Sequence, residues 1–262
     1  MISRLPLILL GIPLVYGILA AGPWPRCLLL AAVGAIGQWE LFSMFGPSEG
    51  KPKYLFEYIS GIALLAAATH WGERALLFGV AFSAAGYAVA TVLRGLDGRG
   101  WQRFSLAVAA VLYLPFCLGF FQLIAATGGA KSVFSLLVVV WALDIGAYLS
   151  GMTLRRFWDT RLAPRISPNK TVVGAIGGTL ACLAAVWALG ETQWLPLTGP
   201  RLWAFGLAAA LIGQTADLFE SVLKRDAGIK DSSTLLGAHG GVLDRIDSVL
   251  FLGPVAYVFM TV

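Results

Sequence analysis

The chain of 262 residues is 58% hydrophobic and only 13% charged, with a formal net charge of +5 and a mean hydropathy of +0.79. A water-soluble domain of this size could not hide so much apolar surface, so the composition excludes an ordinary soluble protein and places the chain in a lipid bilayer. No nucleic-acid partner is expected.

A helix needs about 20 apolar residues to cross the hydrocarbon region. The sequence holds about nine such stretches, centred on residues 5–21, 26–45, 55–70, 75–93, 104–126, 132–151, 171–189, 202–220 and 243–261. The first lies between Arg4 and the small residues Ala20, Ala21 and Gly22, a pattern that a secretory signal shares; a retained helix ending at the turn GPWPR is the preferred reading. Glu40 and Glu57 lie near predicted helix ends, where they are expected to be solvated or paired at the interface. His70, Trp71, Trp101, Trp158 and Trp194 read as interfacial anchors. LAVAAVLYLPFCLGFFQLIAA and VFSLLVVVWAL are continuous apolar runs, unlike the alternating segments of about ten residues in a membrane barrel. The predicted fold class is therefore all-α, a polytopic integral membrane protein. Cys27, Cys117 and Cys182 fall inside predicted spans without a C-x-x-C pair and read as packing residues. No repeat, linker or second domain is visible, so 1–262 reads as a single transmembrane domain, with 1–130 as scaffold and 131–262 carrying the chemistry.

All but four of the 19 Lys and Arg residues fall on one side of this arrangement, the exceptions being Arg26, Arg74, Lys131 and Arg201. Cytoplasmic loops usually carry the excess. The N-terminus and every charge-rich loop are thus expected in the cytoplasm, with the chain in the cell inner (plasma) membrane.

Two of those loops carry candidate chemistry. In MTLRRFWDTRLAPRISPNK the cations Arg155, Arg156 and Arg161 read mainly as topology signals that also attract anionic lipid headgroups. The loop ends in Ser167-Pro168-Asn169-Lys170-Thr171, directly before a Gly-rich helix. A hydroxyl, an ammonium and free helix amides suit a phosphate, and a helix cap is an equal reading. Further on, Asp217, Ser221 and Lys224 share one face of a helix end, followed by Arg225, Lys230, Asp231, His239, Gly240 and Gly241. Asp244, Arg245 and Asp247 then open the last helix. Carboxylates from two helices suit a divalent cation that keeps water and substrate phosphates as further ligands, and the cations would offset phosphate charge. Gly240 and Gly241 permit close backbone approach, while His239 reads as a phosphate contact and loop hydrogen bonder. Asp144, deep in the sixth stretch, is expected to face the same polar cavity.

The run S-x-x-K-R-x-x-x-x-K-D from Ser221 to Asp231, followed by H-G-G-x-x-D-R-x-D from His239 to Asp247, resembles the signature of the phosphatidate cytidylyltransferases, or CDP-diacylglycerol synthases. A-D-L-F-E-S at Ala216 to Ser221, S-P-x-K-T at Ser167 to Thr171 and D-x-x-A-Y at Asp144 to Tyr148 extend the similarity over the C-terminal half. The resemblance implies a nine-helix homodimeric membrane enzyme that uses CTP and phosphatidic acid to make CDP-diacylglycerol and pyrophosphate. It also implies Asp217 and Asp244 as metal ligands, with magnesium and a second, potassium ion. Their positions at the ends of two helices beside the charged loop predict that these two aspartates converge on one hollow open to the cytosol.

Three departures mark the chain. Gly237-Ala238 stands where the family usually has Pro-Gly, Val173 where it has Glu, and Ala216 where it has Gly, as in a divergent paralogue. The competing readings are a secondary transporter or lipid carrier, since intramembrane carboxylates also mark ion pathways, and a catalytically inactive relative. The charged motifs lie only in the second half, whereas transporters commonly repeat them.

Overall fold

A computed structural model describes residues 5–46, 54–95, 98–237 and 240–261, with side chains from residue 11 onward. Helices dominate: α1 (Leu5–Ala20), α2 (Pro23–Phe45), α3 (Leu55–Trp71), α4 (Glu73–Leu93), α5 (Gly100–Val111), α6 (Cys117–Leu154), α7 (Val172–Glu191), α8 (Gly199–Asp226), α9 (Leu243–Leu250) and α10 (Leu252–Thr261). The fold is all-α, and the chain is a multi-pass membrane protein. Among the described residues, five helical stretches are long and apolar enough to cross a bilayer, namely Pro23–Phe45, Glu73–Leu93, Gly100–Leu154, Val172–Glu191 and Gly199–Asp226.

The third of these, 55 residues long, would reach about 80 Å if straight, against a hydrocarbon core of about 30 Å. It is broken twice. Residues Leu112–Phe116 form a π turn around Pro115, whose ring and missing N–H forbid a regular turn; the Cys117 thiol donates to the Leu112 carbonyl at 3.3 Å. At Gly129 the backbone turns to φ 72°, a left-handed conformation that a side chain would oppose. That break separates the fifth and sixth apolar stretches. The last predicted stretch, 243–261, is likewise two helices, because Pro254 in the first turn of α10 cannot continue the hydrogen-bond ladder of α9.

The core runs along α6 and is closed by Leu136 and Leu143 of α6, Phe205 of α8, and Leu243, Leu250 and Leu252 of α9 and α10, all at most 1% exposed. All three cysteines are free and buried.

Two features position the polar end of the molecule. First, α6 and α7 pack almost backbone to backbone. A Cβ on Gly146 would lie 2.4 Å from the Ala181 Cβ, and one on Gly178 would lie 2.8 Å from the Leu143 carbonyl. Membrane helices associate through such small-residue seams. Gly178→Val should force them apart and cost about 1–3 kcal/mol, read as a lower melting midpoint in detergent; an unchanged midpoint would show that the seam tolerates a branched side chain. Second, part of the predicted loop before α7 is an antiparallel hairpin, β1 (Arg161–Ala163) and β2 (Ser167–Thr171), with Arg161 opposite Thr171.

Candidate active site

The hairpin, α6, α7 and α8 surround a cavity of about 690 Å³. Its polar lining includes Asp144 of α6, Ser167, Asn169 and Lys170 of β2, and Gln214 and Asp217 of α8, while Leu143, Ala147, Tyr148, Met152 and Leu162 form an apolar wall. Three sequence motifs far apart in the chain thus share one hollow. Lys170 Nζ lies 2.5 Å from Asp217 Oδ2, with 27% and 34% of the two side chains exposed, so an entering phosphate would share an ammonium that already has an anion beside it. The charges of Asp217, Asp247, Lys170 and Arg245 all act on Asp144. Gln214 donates to Thr179 Oγ1 at 3.0 Å and so ties α8 to α7 beneath the cavity.

Both readings of S-P-x-K-T have a structural counterpart, and Thr171 takes part in each, since it also lines the cavity. Thr171, only 5% exposed, accepts from the Gly174 N–H at 3.1 Å and caps α7. Ser167, Asn169 and Lys170 line the cavity. Part of the cationic excess braces the hairpin: Asp159 lies 2.9 Å from Arg155 and 3.4 Å from Arg161, and Arg161 also donates to the Pro168 carbonyl at 2.7 Å. Arg225 does similar work, donating to the carbonyls of Ile229 at 3.0 Å and Ile166 at 3.4 Å.

Beside the cavity, the second loop folds onto the start of α9. Asp244 does not line the cavity. Its Oδ2 accepts from the Ser232 N–H, the Ser232 hydroxyl and the Gly241 N–H, each at 2.8 Å, and its Oδ1 lies 2.6 Å from Lys224 Nζ. Lys224 is in turn 3.3 Å from the buried Glu220. Asp217 and Asp244 therefore occupy adjoining groups, one lining the cavity and the other clasping the loop. Asp247 links them, since its carboxylate interacts with Glu220 and senses the charge of Asp217; Asp247 Oδ1 also accepts from the Ser248 N–H at 2.7 Å.

Gly240 has φ +74°, and a Cβ on Gly241 would fall 2.1 Å from the Ser232 hydroxyl. The loop can close only with glycine there. Gly237 has φ +59°, a conformation barred to proline. Ser221 is partly buried on α8, while Lys230, Asp231 and Arg245 are exposed. His239 lies outside the described residues.

Glu40 departs from expectation. Instead of reaching water it is fully buried, accepting from the Ser233 hydroxyl at 2.6 Å, the Ser232 hydroxyl at 3.2 Å, and the N–H groups of Val242 at 2.9 Å and Leu243 at 2.7 Å. The amides at the start of α9 have no partner within the helix and attract an anion. A carboxylate inside an apolar helix is the one signal in the sequence that points to this role.

Among the described residues, no three His, Cys, Asp or Glu side chains are placed to enclose a metal ion by themselves. Magnesium, however, commonly uses one or two carboxylates plus substrate phosphates. Asp144, Asp217 and Asp247 sense one another's charge, and neither oxygen of the buried Glu220 has a hydrogen-bond partner among the described residues, an oxygen-rich set that suits a divalent ion.

The sequence matches the cytidylyltransferase family across residues 2–262. It is 35% identical to the phosphatidate cytidylyltransferase of Brucella suis over 192 residues, covering 71% of this chain and 67% of that relative. The phosphatidate cytidylyltransferase of Bacillus subtilis is 39% identical over 152 residues, 56% of this chain and 55% of its own length. That of Synechocystis is 44% identical over 125 residues, 46% of this chain and 40% of its own.

Proposed function

The chain belongs to the cytidylyltransferase family, and from that premise we propose that it transfers the cytidylyl group of CTP to phosphatidic acid, giving CDP-diacylglycerol and pyrophosphate. The observation that carries this reading is the cavity itself, where Asp144, Lys170 and Asp217 meet beside a wall of Tyr148, Met152 and Leu162. A phospholipid phosphate needs the first group and its apolar body the second.

In the reaction, an oxygen of the lipid phosphate forms a bond to the α-phosphorus of CTP. The bond from that phosphorus to the bridging oxygen breaks, and its electron pair leaves with pyrophosphate. A phosphate monoester is already anionic at neutral pH, so no strong general base is needed, and the barrier comes from bringing anions together and from charge on the leaving group. Lys170 would hold a phosphate, kept in place by Asp217. Lys224 is poised between Glu220 and Asp244, and Arg245 lies within charge range of Asp144. Magnesium, held by Asp217 with Asp244 or its neighbour Asp247, would neutralise phosphate charge and polarise the reacting phosphoryl group. The same reading includes potassium as a companion ion, a homodimer, and an inner-membrane location with the N-terminus and the site in the cytoplasm.

Purified protein in micelles supplied with CTP, phosphatidate and magnesium is expected to form CDP-diacylglycerol and pyrophosphate in equal amounts. No turnover with several acyl compositions would favour a lipid carrier or an inactive relative instead. Lys170→Ala should raise KM for a phosphate-bearing substrate about 10- to 100-fold, the range for losing a charged hydrogen bond. Unchanged saturation curves for both CTP and lipid would remove Lys170 from the phosphate site.

A further inference from the structure

We infer that Glu40, on α2 in the half of the chain that carries no catalytic motif, is a positioning residue for the site. Its carboxylate holds the loop that carries Ser232, Gly241 and Asp244 in the one arrangement that turns Asp244 toward Lys224. This inference rests on the proposed transfer reaction and adds to it a part of the chain that the signature motifs do not touch.

The geometry is that of a double clasp. Each Glu40 oxygen accepts one hydroxyl and one backbone amide: Oε1 takes Ser233 Oγ and Val242 N, and Oε2 takes Ser232 Oγ and Leu243 N. Asp244 Oδ2 takes the next amide back, that of Gly241, together with the Ser232 N–H and hydroxyl. Two carboxylates from distant parts of the chain thus divide the free amides at the start of α9 between them. They meet at one side chain, Ser232 Oγ, which lies 3.2 Å from Glu40 and 2.8 Å from Asp244 and has a single proton to donate.

Glu40 is fully buried on α2, and Ser232 and Gly241 are also buried. Gly241 has no room for a side chain because a Cβ would lie 2.2 Å from Glu40 Oε1. Ordinary helix capping uses a residue beside the helix in sequence. Here the cap arrives from about 200 residues away, so it fixes α9 against α2 as well as closing its end. Asp244, Arg245 and Asp247 all follow within the first turns of α9, and a shift at its start would be carried to each of them.

Glu40→Gln tests the role with little change in volume. A carboxamide can accept on one atom only, and its NH2 would face a backbone N–H that needs an acceptor. Per folded molecule, kcat is expected to fall about 100-fold, the scale of a displacement of about 1 Å at a reacting centre. KM for CTP should move by less than about threefold, since Lys170 is not disturbed. Amide hydrogen exchange at Gly241, Val242 and Leu243 should quicken at least about tenfold while exchange in α6 stays as in the wild type. Unchanged kcat per folded molecule, or unchanged exchange at those three amides, would overturn the inference, and so would a uniform rise in exchange over the whole chain, which marks a merely structural buttress.

If Glu40→Gln does not fold, Ser233→Ala removes one donor to the same carboxylate. It should show the same pattern at about fivefold in kcat, the scale of one hydrogen bond; no change in kcat or in exchange would count against the clasp. A wild-type protein that makes no CDP-diacylglycerol would sink the reaction proposed above, whereas the exchange measurement judges the clasp independently of turnover.

Discussion

Asp217→Asn is expected to lower turnover at least about a thousandfold while leaving the protein folded, the largest effect of any single conservative change at the site. Asp217 lines the cavity and stands against Lys170. The substitution keeps the shape but removes the negative charge that holds the lysine and that would hold a divalent ion. Losing one preorganised electrostatic contact typically costs about 10²–10³ in rate, and here two functions share one carboxylate. A third of the Asp217 side chain is exposed, but the Lys170 ammonium nitrogen beside it is buried, so the melting midpoint should fall, by less than for a fully buried pair. Steady-state kinetics beside thermal unfolding in the same detergent test this, and activity within tenfold of wild type would take Asp217 out of the reaction.

Asp244→Asn should behave differently, losing both turnover and stability. The Asp244 side chain is 6% exposed and is held by Lys224 and by three donors from Ser232 and Gly241. An Asn must turn its NH2 either toward the Lys224 ammonium, which has nothing to accept with, or toward the Ser232 and Gly241 N–H groups, where the Ser232 hydroxyl oxygen could accept but the two amides would lose their acceptor. Leaving one partner of a buried pair uncompensated costs about 3–5 kcal/mol, lessened here because Lys224 retains Glu220 at 3.3 Å. A fall of about 2–4 kcal/mol in unfolding free energy, together with loss of activity, is the expected outcome. A variant as stable as wild type and merely inactive would show that Asp244 serves the reaction alone; one that is unstable yet fully active per folded molecule would show that it serves the loop alone.

Much of the fold is legible in the sequence because lipid imposes one simple rule: backbone polar groups must be satisfied internally, and long apolar runs have no outlet except helix. The break at Gly129 is legible too, because it falls in the gap, residues 127–131, between the fifth and sixth apolar stretches. Harder to see is which of the 31 glycines, such as Gly146 and Gly178, let two helices touch. The β hairpin is equally hidden, since its strands of three and five residues are too short for a period to register.

The site is legible in its members more than in its grouping. Charge within an apolar chain singles out Asp144, Asp217, Asp244 and their lysines, and the cavity gathers Asp144, Lys170 and Asp217 from separate motifs. Sequence spacing cannot say that Lys170 faces Asp217 while Lys224 faces Asp244, because that pairing depends on how α8 meets the hairpin on one side and α9 on the other. Glu40 is the extreme case. Its partners lie some 200 positions away, and the one local hint, a carboxylate in an apolar helix, says nothing of which residues it meets.

Of the positions singled out in the sequence as departures, Ala238 lies outside the described residues and the other three are placed. Val173 is buried at 9% exposure and Ala216 at 0%, so both are accommodated in packed surroundings away from open solvent. Gly237 lies on the loop that Glu40 and Asp244 clasp, with a positive φ that glycine accepts readily.

Attack of the lipid phosphate on the α-phosphorus of CTP can be followed with two labels. With CTP labelled at the α-phosphorus or at the γ-phosphorus, magnesium and unlabelled phosphatidate, the α label is expected to enter the lipid product in step with pyrophosphate release, while the γ label leaves CTP only as pyrophosphate. Label from the γ position appearing in lipid, or α label released as a water-soluble nucleotide with no lipid product, would contradict it.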